Sequence, residues 1–549
     1  PCVGTGSAAA TAITFTAGDG TVAMSRLTTR ADETNDSGTV DMGYHHGHAN
    51  VIYVPDRYAT IQAALDNAFS GERVVVRDGN YYERVDFHGR AIELASEHGV
   101  SVTRIGGTGA GSTVTFAAGE GRGSILRGFM ISGGVANTGG GIYVDSTAPS
   151  IRLCDIAGNQ ATNSGGGVGG AFSRLELLTT SVRLNTAGSG GGGLWIGGAG
   201  SKPVLSHVFL EENAAGTGGG GASFAWATAT LNQCLVARNT AAQGGGIDAY
   251  GTHLDVNSCT VADNGASTGS GGGLLCDSGP LDLANTIIAF NNRSGAAAAV
   301  TCVSGVTVTA SCCDVFGNTG GDWTGCLAGL GGTAGNFSLD PLFCDPAGGD
   351  YGLHANSMCA PAMNPGCGSI GFTTATCAPE IYTVRADGLG EYATLQAAID
   401  AAFDGIIVQA APGTYTGTGN RDLDFKGKAI TVESESGDAA DTIIDCQGST
   451  GDPHRGFYFH SGEDSTSLLR NFTIRGGRTG TSGTGAGICC VGGSGPKVEG
   501  CALHQNGAYD GGGLYCYQSN PIVAACSFTN CTASDAGGAI AAHTAAPEV

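Results

Sequence analysis

The sequence predicts an all-β protein: two coils of short parallel strands in tandem, each opened by a short amphipathic helix. Two observations predict it. The first is a recurring phrase: an Asn, four to six intervening residues, then a Gly triplet followed by Ile, Leu, Val or Ala. Asn159, Asn185, Asn213, Asn239 and Asn264 each precede a triplet, and the triplets' last glycines fall at 141, 167, 193, 221, 246 and 273. The steps are therefore 26, 26, 28, 25 and 27 residues. The phrase returns with Asn506 before Gly513, and as Gly537-Gly538-Ala539. So short a repeat cannot bury a core alone and must stack on copies of itself. The second observation is a duplicated opening: YATIQAALDNAFSGERVVVRDGNY (58–81) aligns without a gap on YATLQAAIDAAFDGIIVQAAPGTY (392–415).

The opening has a mechanical logic. Ile61, Ala64, Leu65, Ala68 and Phe69 follow helical spacing, and Val74, Val75 and Val76 read as a buried strand. A short helix ahead of the first strand lids the stack, whose open end would otherwise invite edge pairing. Beyond it, each repeat carries two or three β-prone pieces, such as Leu231–Val236 and Leu254–Val261, parted by Gly, Asn and Ser turns. About 26 residues make one circuit of a triangular coil, with circuits about 4.8 Å apart. Equivalent residues then lie above one another. Asn159, Asn185, Asn213, Asn239, Asn264 and, in the second coil, Asn506 are expected to form a structural ladder of amides at one corner. Cys154, Cys234, Cys259 and Cys501 stand five residues ahead of an Asn, and Cys526 five ahead of Cys531; they read as an inward stack of small apolar thiols. Bridging Cys234 to Cys259 would meet poor geometry in register. The glycines are expected to supply tight turns with positive φ.

Composition narrows the function. The chain has 549 residues, 97 of them Gly, 13% charged residues and a formal net charge of −23; Lys202, Lys426, Lys428 and Lys497 are all its lysines. Such a surface repels phosphate backbones, which excludes nucleic acid as an expected partner. No apolar run reaches the roughly 18 residues of a membrane span. Twenty cysteines suit an oxidising compartment, so a secreted or cell-surface protein is expected. Pro1 is not a natural start, so the chain reads as processed or as an excerpt. Aromatic residues are sparse at 7%, and no ladder of exposed rings is expected.

These residues resemble a known group, the bacterial secreted right-handed parallel β-helix proteins of the pectin-lyase-like superfold. The opening is similar to that of pectin methylesterases. The GGAI at 537–540 and the FTNC at 528–531 resemble the repeats of polymorphic outer-membrane adhesins, with Asn530 one place early. The resemblance implies two right-handed parallel β-helices and leaves function open. The segment DPLFCDPAGGDYGLHANSMCAPAMNPGCGSIG (340–371) resembles the closing segment of such proteins. Cys344, Cys359, Cys367 and Cys377 are expected to include disulfides that staple this cap, in a pairing that cannot be read; no CxxC spacing favours zinc.

The catalytic sets of the superfold are missing. There is no Gln-Asp, no Asn-Thr-Asp and no Gly-His-Gly, so no catalytic residue is assigned. A lyase base would be sought among Arg127, Arg470, Arg152 and Arg183, each better read as a solvated strand position. His45, His46 and His48 form the one dense His cluster, and Glu463 with Asp464 is a weak calcium candidate; no cofactor is otherwise expected. SGTVDMGYHHG (37–47) resembles a final coil, so residues 1–48 are expected to be the closing segment of a preceding or neighbouring β-helix. Residues 49–378 are expected to be a first β-helix with its Cys-rich cap, and 379–549 a second, unfinished one. The function expected first is an extracellular structural protein, its copies joined head to tail in a fibre. A surface adhesin or glycan-binding β-helix is the alternative, and a polysaccharide lyase or hydrolase the third reading.

Overall fold

A computed structural model describes residues 51–549 apart from 292–297, 304 and 374. Before residue 51 it describes only the backbone of Thr14–Ala17, Gly20–Ala23, Leu27–Thr28 and His46–Gly47. The closing segment expected at 1–48 thus lies mostly outside the described residues, as do His45 and His48. Two compact units are present: Pro1–Ser338 with Ser369–Thr373, and Leu339–Gly368 with Thr374–Val549. The Cys-rich segment groups with the second unit except for Ser369–Thr373.

The first unit is a parallel β-solenoid. Helix α1 (Ile61–Asn67) starts at Thr60, whose hydroxyl accepts from the Ala63 N–H at 3.1 Å. The Glu83 carboxylate accepts from the N–H groups of Ile61 and Gln62, each at 2.9 Å, and so satisfies two more donors of the first turn. The helix buries Ile61, Ala64 and Leu65 in one hydrophobic cluster with Val74 and Val76. It ends at Asn67, so Ala68 is already extended and the half-buried Phe69 lies outside it.

One circuit runs through Ser150–Arg152, Asp155–Ala157, Gln160–Ser164 and Val168–Ala171 before rising to Glu176–Leu178. Each strand pairs in parallel with its equivalent one circuit on: Ile151 with Leu177, Ile156 with Val182, Val168 with Leu194. The first sheet starts at Val51–Val54, the second at Gly79–Tyr82 and the third at Val85–Asp86. The second has 10 strands; the first and third run together through the long strands Leu194–Ser201 and Ala222–Asn232 into one 19-stranded sheet. Inward positions repeat from circuit to circuit. Leu126, Ile151, Leu177, Leu205, Leu231 and Val256 follow one another on the first sheet, all fully buried.

The first glycine of each triplet has positive φ as expected, at Gly165, Gly191, Gly219, Gly244 and Gly271 among others, but glycine does not make most of the other corners. Three rows of residues with left-handed backbone turn each circuit, and most are not glycine: Leu153, Thr179, His207 and Gln233 at one corner, Leu184, Glu212 and Arg238 at another, Ser146, Phe172 and Trp226 at the third. In the triplet 191–193 only Gly191 is left-handed, at φ 65°. Gly192 is needed for space, because a Cβ there would fall 2.5 Å from the carbonyl oxygens of Ala214 and Gly220 in the next circuit. At Gly193 it would fall 3.0 Å from the Asn213 amide. The Asn and the third glycine are thus one packing unit, which is why they recur together.

The second unit repeats the scheme on a smaller scale. Helix α2 (Leu395–Ala401) buries Leu395, Ala398 and Ile399, with Thr394 as its cap. Parallel sheets of six, five and four strands follow, starting at Ile381–Val384, Gly413–Tyr415 and Phe457–Phe459. A three-stranded sheet of Phe343–Asp345, Asp350–His354 and Ala375–Cys377 carries the Cys-rich segment. All ordered helix in the described residues is short; none is long and apolar enough to cross a membrane.

Candidate functional site

The residues singled out in the sequence fall into rows. Asn159 Nδ2 donates to Asn185 Oδ1 at 3.0 Å, and Asn185, Asn213 and Asn239 donate likewise to the next Asn at 3.0–3.1 Å, ending the named set at Asn264. Each Oδ1 also accepts the next-door backbone N–H, as Asn213 does from Asn185 at 3.1 Å. The second Nδ2 hydrogen reaches a backbone carbonyl of the previous circuit, Val182 for Asn213 at 2.8 Å. The row continues through Asn291 and Asn318, which no Gly triplet follows, and stops where Asp322 takes the next place. Asn506 has the same two backbone partners, Gly477 N and Ile474 O, each at 2.8 Å. Its outer neighbour is Cys531, 4.0 Å from Nδ2.

Cys154, Cys234, Cys259 and Cys501 are buried free thiols, and Cys526 is a half-buried one. Hydroxyls interleave with them: the N–H of Cys154 donates to Thr180 Oγ1, that of Cys234 to Cys259 Sγ, and that of Cys259 to Thr286 Oγ1. Burial pushes the Cys154 thiol up to about 11, so it stays protonated and unreactive. In the cap, Cys344 is bridged to Cys377 and Cys367 is disulfide-bonded, whereas Cys359 departs from the expected set. Its side chain is fully buried. A bridge between Cys302 and Cys326 was not legible in the sequence, since it joins residues that only the winding brings together. Disulfides suit an oxidising compartment.

Three of the four candidate bases are paired, and Arg127 stands exposed on its strand. Arg183 pairs with Asp155 at 2.8 Å, Arg152 with Glu176 at 3.5 Å, and Arg470 with Glu433. Arg127 and Arg183 line a groove of about 680 Å³ with Glu97, His98 and Asp155. Two further charged groups of that groove have partners, Glu97 in Arg77 and His98 in Asp78 at 2.9 Å. Among the described residues, two groups bring metal-ligand atoms together: Asp78, Glu97 and His98, and His253, Asp255 and Asp282. His253 Nε2 lies 2.8 Å from Asp282 and 3.1 Å from Asp255. The Glu463 carboxylate accepts from the N–H groups of Gly427 and Ser461 and from the Ser494 hydroxyl, at 2.8–2.9 Å. Burial pushes its pKa up, but these donors outweigh burial and hold it low. Asp464 accepts from Thr466. Both carboxylates of the calcium candidate are therefore engaged within the chain.

The outward sheet faces differ. On the second sheet Leu235, Thr260 and Ile287 point outward yet are buried, because Ser369–Thr373 lies over them. The Phe372 N–H donates to Thr260 Oγ1, the Gly371 N–H to Asn285 O, and Phe372 meets Phe209 edge-on at 5.8 Å.

The third sheet and its corner carry a cluster of aromatic rings, where no ladder of exposed rings was expected. Tyr143, Gly169 and Trp195 are successive partners on three adjacent strands. The two rings flank the glycine and, with Asn137, Thr138 and Thr162, line a groove of about 740 Å³. Thr162 Oγ1 donates to Asn137 Oδ1 at 3.2 Å, presenting a polar edge beside the rings. Along the adjoining corner stand Phe172 (59% exposed) and Trp226 (56%), with Tyr250 (45%) set edge-on to Trp226 at 5.0 Å. Three of these rings lie against glycine: a Cβ on Gly197 would fall 2.7 Å from Trp195 Cζ2, on Gly198 2.8 Å from Phe172 Cδ1, and on Gly251 2.5 Å from Trp226 Cε3. Each of these rings thus lies against backbone that carries no side chain. Beyond Trp195 the same row passes through Ser223 to Asp248, whose carboxyl burial raises to about 6 despite a hydrogen bond from Ser223. The local signal for this face is an aromatic two residues after a triplet, as in GIYV (141–144) and GLWI (193–196).

Residues 405–547 match the family model described as a right handed beta helix region. With its parallel coils, the chain is a right-handed parallel β-helix repeat protein. No curated protein matches it. Similar solved structures include a pectate lyase, at 12% identity and TM-score 0.35, covering 58% of this chain and 91% of that one. They also include a PL6 family alginate lyase, at 10% and 0.23, covering 86% and 84%. A third is the catalytic domain of a GH87 α-1,3-glucanase in complex with nigerose, at 10% and 0.23, covering 92% and 70%.

Proposed function

We propose that this chain is an extracellular glycan-binding β-helix protein, and that the outward face of the third sheet in its first unit is the binding surface. One observation carries the reading: Tyr143 and Trp195 stand on either side of Gly169, and with Asn137, Thr138 and Thr162 they line a groove of about 740 Å³. A sugar ring offers an apolar face of C–H groups and a polar rim. Flat aromatic rings beside short polar side chains match both, and such sites fix orientation with few polar groups. Sparse aromatics make the clustering more telling, because rings scattered over a surface need no explanation whereas a contiguous patch does.

The test is calorimetric titration with soluble oligosaccharides, comparing the natural chain with Trp195→Ala. Trp195 is half-exposed and holds no buried hydrogen bond, so the variant keeps its fold. Affinity is expected to fall about tenfold or more, which is about 1.4 kcal/mol. Unchanged affinity in a folded Trp195→Ala protein would remove the reading. A head-to-tail fibre is a separate proposal that depends on residues 1–48, which lie mostly outside the described residues.

A further inference from the structure

The rings on and beside the third sheet are not only clustered; they share a spacing. Tyr143 and Trp195 occupy one row two circuits apart, with Gly169 between them. Phe172 and Trp226 occupy the corner row, also two circuits apart, since Ala171 pairs with Gly197 and Gly197 with Ala225. Gly198 stands between these two, and Gly251 follows Trp226. Each row thus sets one glycine between two rings, the inner row passing on to Ser223 and Asp248, and the rows are offset by one circuit. Two strand spacings are about 9.6 Å. In an extended glycan whose units alternate in orientation, the same face of every second sugar recurs at nearly that interval.

The charge of the face narrows the partner. The charged residues at outward positions of the third sheet are Asp86, Asp145, Asp248 and Asp277, all acidic, in a chain of net charge −23. A polyanionic glycan would be repelled along its length. Flat rings in two rows also make a platform wider than one sugar chain needs.

From this geometry we infer that the partner is a neutral, extended polysaccharide lying along the solenoid axis, and that the two staggered rows hold it as a flat, multi-chain surface and not as a free chain end. The inference rests on the glycan-binding reading and names its substrate class. The inner row holds one chain through Tyr143 and Trp195. The outer row, Phe172 and Trp226, contacts a neighbouring chain and gains affinity through simultaneous engagement.

The experiment uses the full chain with microcrystalline cellulose and crystalline chitin as insoluble probes, cellohexaose and chitohexaose as soluble ones, and a polygalacturonate-coated resin as the acidic control. The natural protein is expected on cellulose or chitin and not on the acidic resin. Phe172→Ala/Trp226→Ala should lower retention on the insoluble polymer about tenfold while changing hexasaccharide affinity less than about twofold. Both rings are mostly exposed, and an unchanged melting temperature verifies the fold; Trp226→Phe should restore retention in part. If the double variant is retained like the natural protein while the hexasaccharides still bind, the two-row inference is overturned and the groove reading stands. If retention moves to the acidic resin, the neutral class is wrong. If neither soluble nor insoluble neutral glycan binds, both readings fall.

Discussion

At the scale of single residues, the chain is held by side chains that do the work of backbone. Asn213 donates to Val182 O and Asn239 Oδ1 and accepts from both nitrogens of Asn185, all in a fully buried position. Asn213→Ala leaves a buried N–H and a buried carbonyl without partners, at about 1–3 kcal/mol for each. The urea midpoint of the first unit should fall accordingly; a midpoint within error of the natural chain would contradict this account of the row. Asp248 makes the opposite prediction. Burial raises its pKa from 3.8 to about 6, so the folded chain holds that proton more tightly than the unfolded chain does. The associated stability is present below pH 4 and is lost as pH rises through 6, a difference of roughly 3 kcal/mol. Asp248→Asn should therefore melt higher than the natural protein at pH 8 and near it at pH 4. Equal gains at both values would show that charge burial is not the cause.

At the scale of elements, what the sequence revealed depended on whether a signal was local. The Asn–Gly phrase is local and covers the strand, the corner and the next strand, so the winding was legible before any coordinates. Asn291 and Asn318 extend the row without the phrase, because Ala299 replaces the triplet's last glycine in one circuit and Asp322 ends the row after the other. The left-handed corners at Leu153, Phe172 and Trp226 left no trace, since tertiary stacking imposes a conformation that those side chains do not favour alone. The aromatic face was illegible for a related reason. Its five rings lie in separate circuits, and only the register of the sheet shows that they share a side. Spacing within the triplets gives a test of the packing claim: Gly192→Ala places a methyl 2.5 Å from two carbonyl oxygens, with backbone on both sides and nothing flexible to yield. It should destabilise the first unit by more than the roughly 1 kcal/mol gained from replacing a glycine elsewhere. A stabilised variant, read by denaturation, would mean that the circuits are looser than this packing implies.

At the scale of the molecule, two units carry separate cores. One cluster runs from Ile52 to Leu327 and the other from Leu342 to Val523, each opened by a helix of the same design. The chain is strongly acidic and poor in lysine, so under the glycan-binding proposal stacking and hydrogen bonding, not charge, would do the recognising. Glycan affinity should consequently stay constant when ionic strength is raised about tenfold, because screening acts on charges and not on ring stacking. A steep loss with salt would point to an ionic partner instead.

The central claim is that sugars stack on the rings of the third sheet, and the protein's own tryptophans report on it. Of the three, Trp195 and Trp226 lie on that face, while Trp323 is half-buried and donates to Phe337 O at 3.0 Å. Fluorescence titration of Trp323→Phe with cellohexaose or chitohexaose should change the emission of the two remaining tryptophans, saturating at the midpoint found by calorimetry. Calorimetric binding with their emission unmoved would place the glycan elsewhere and contradict the account.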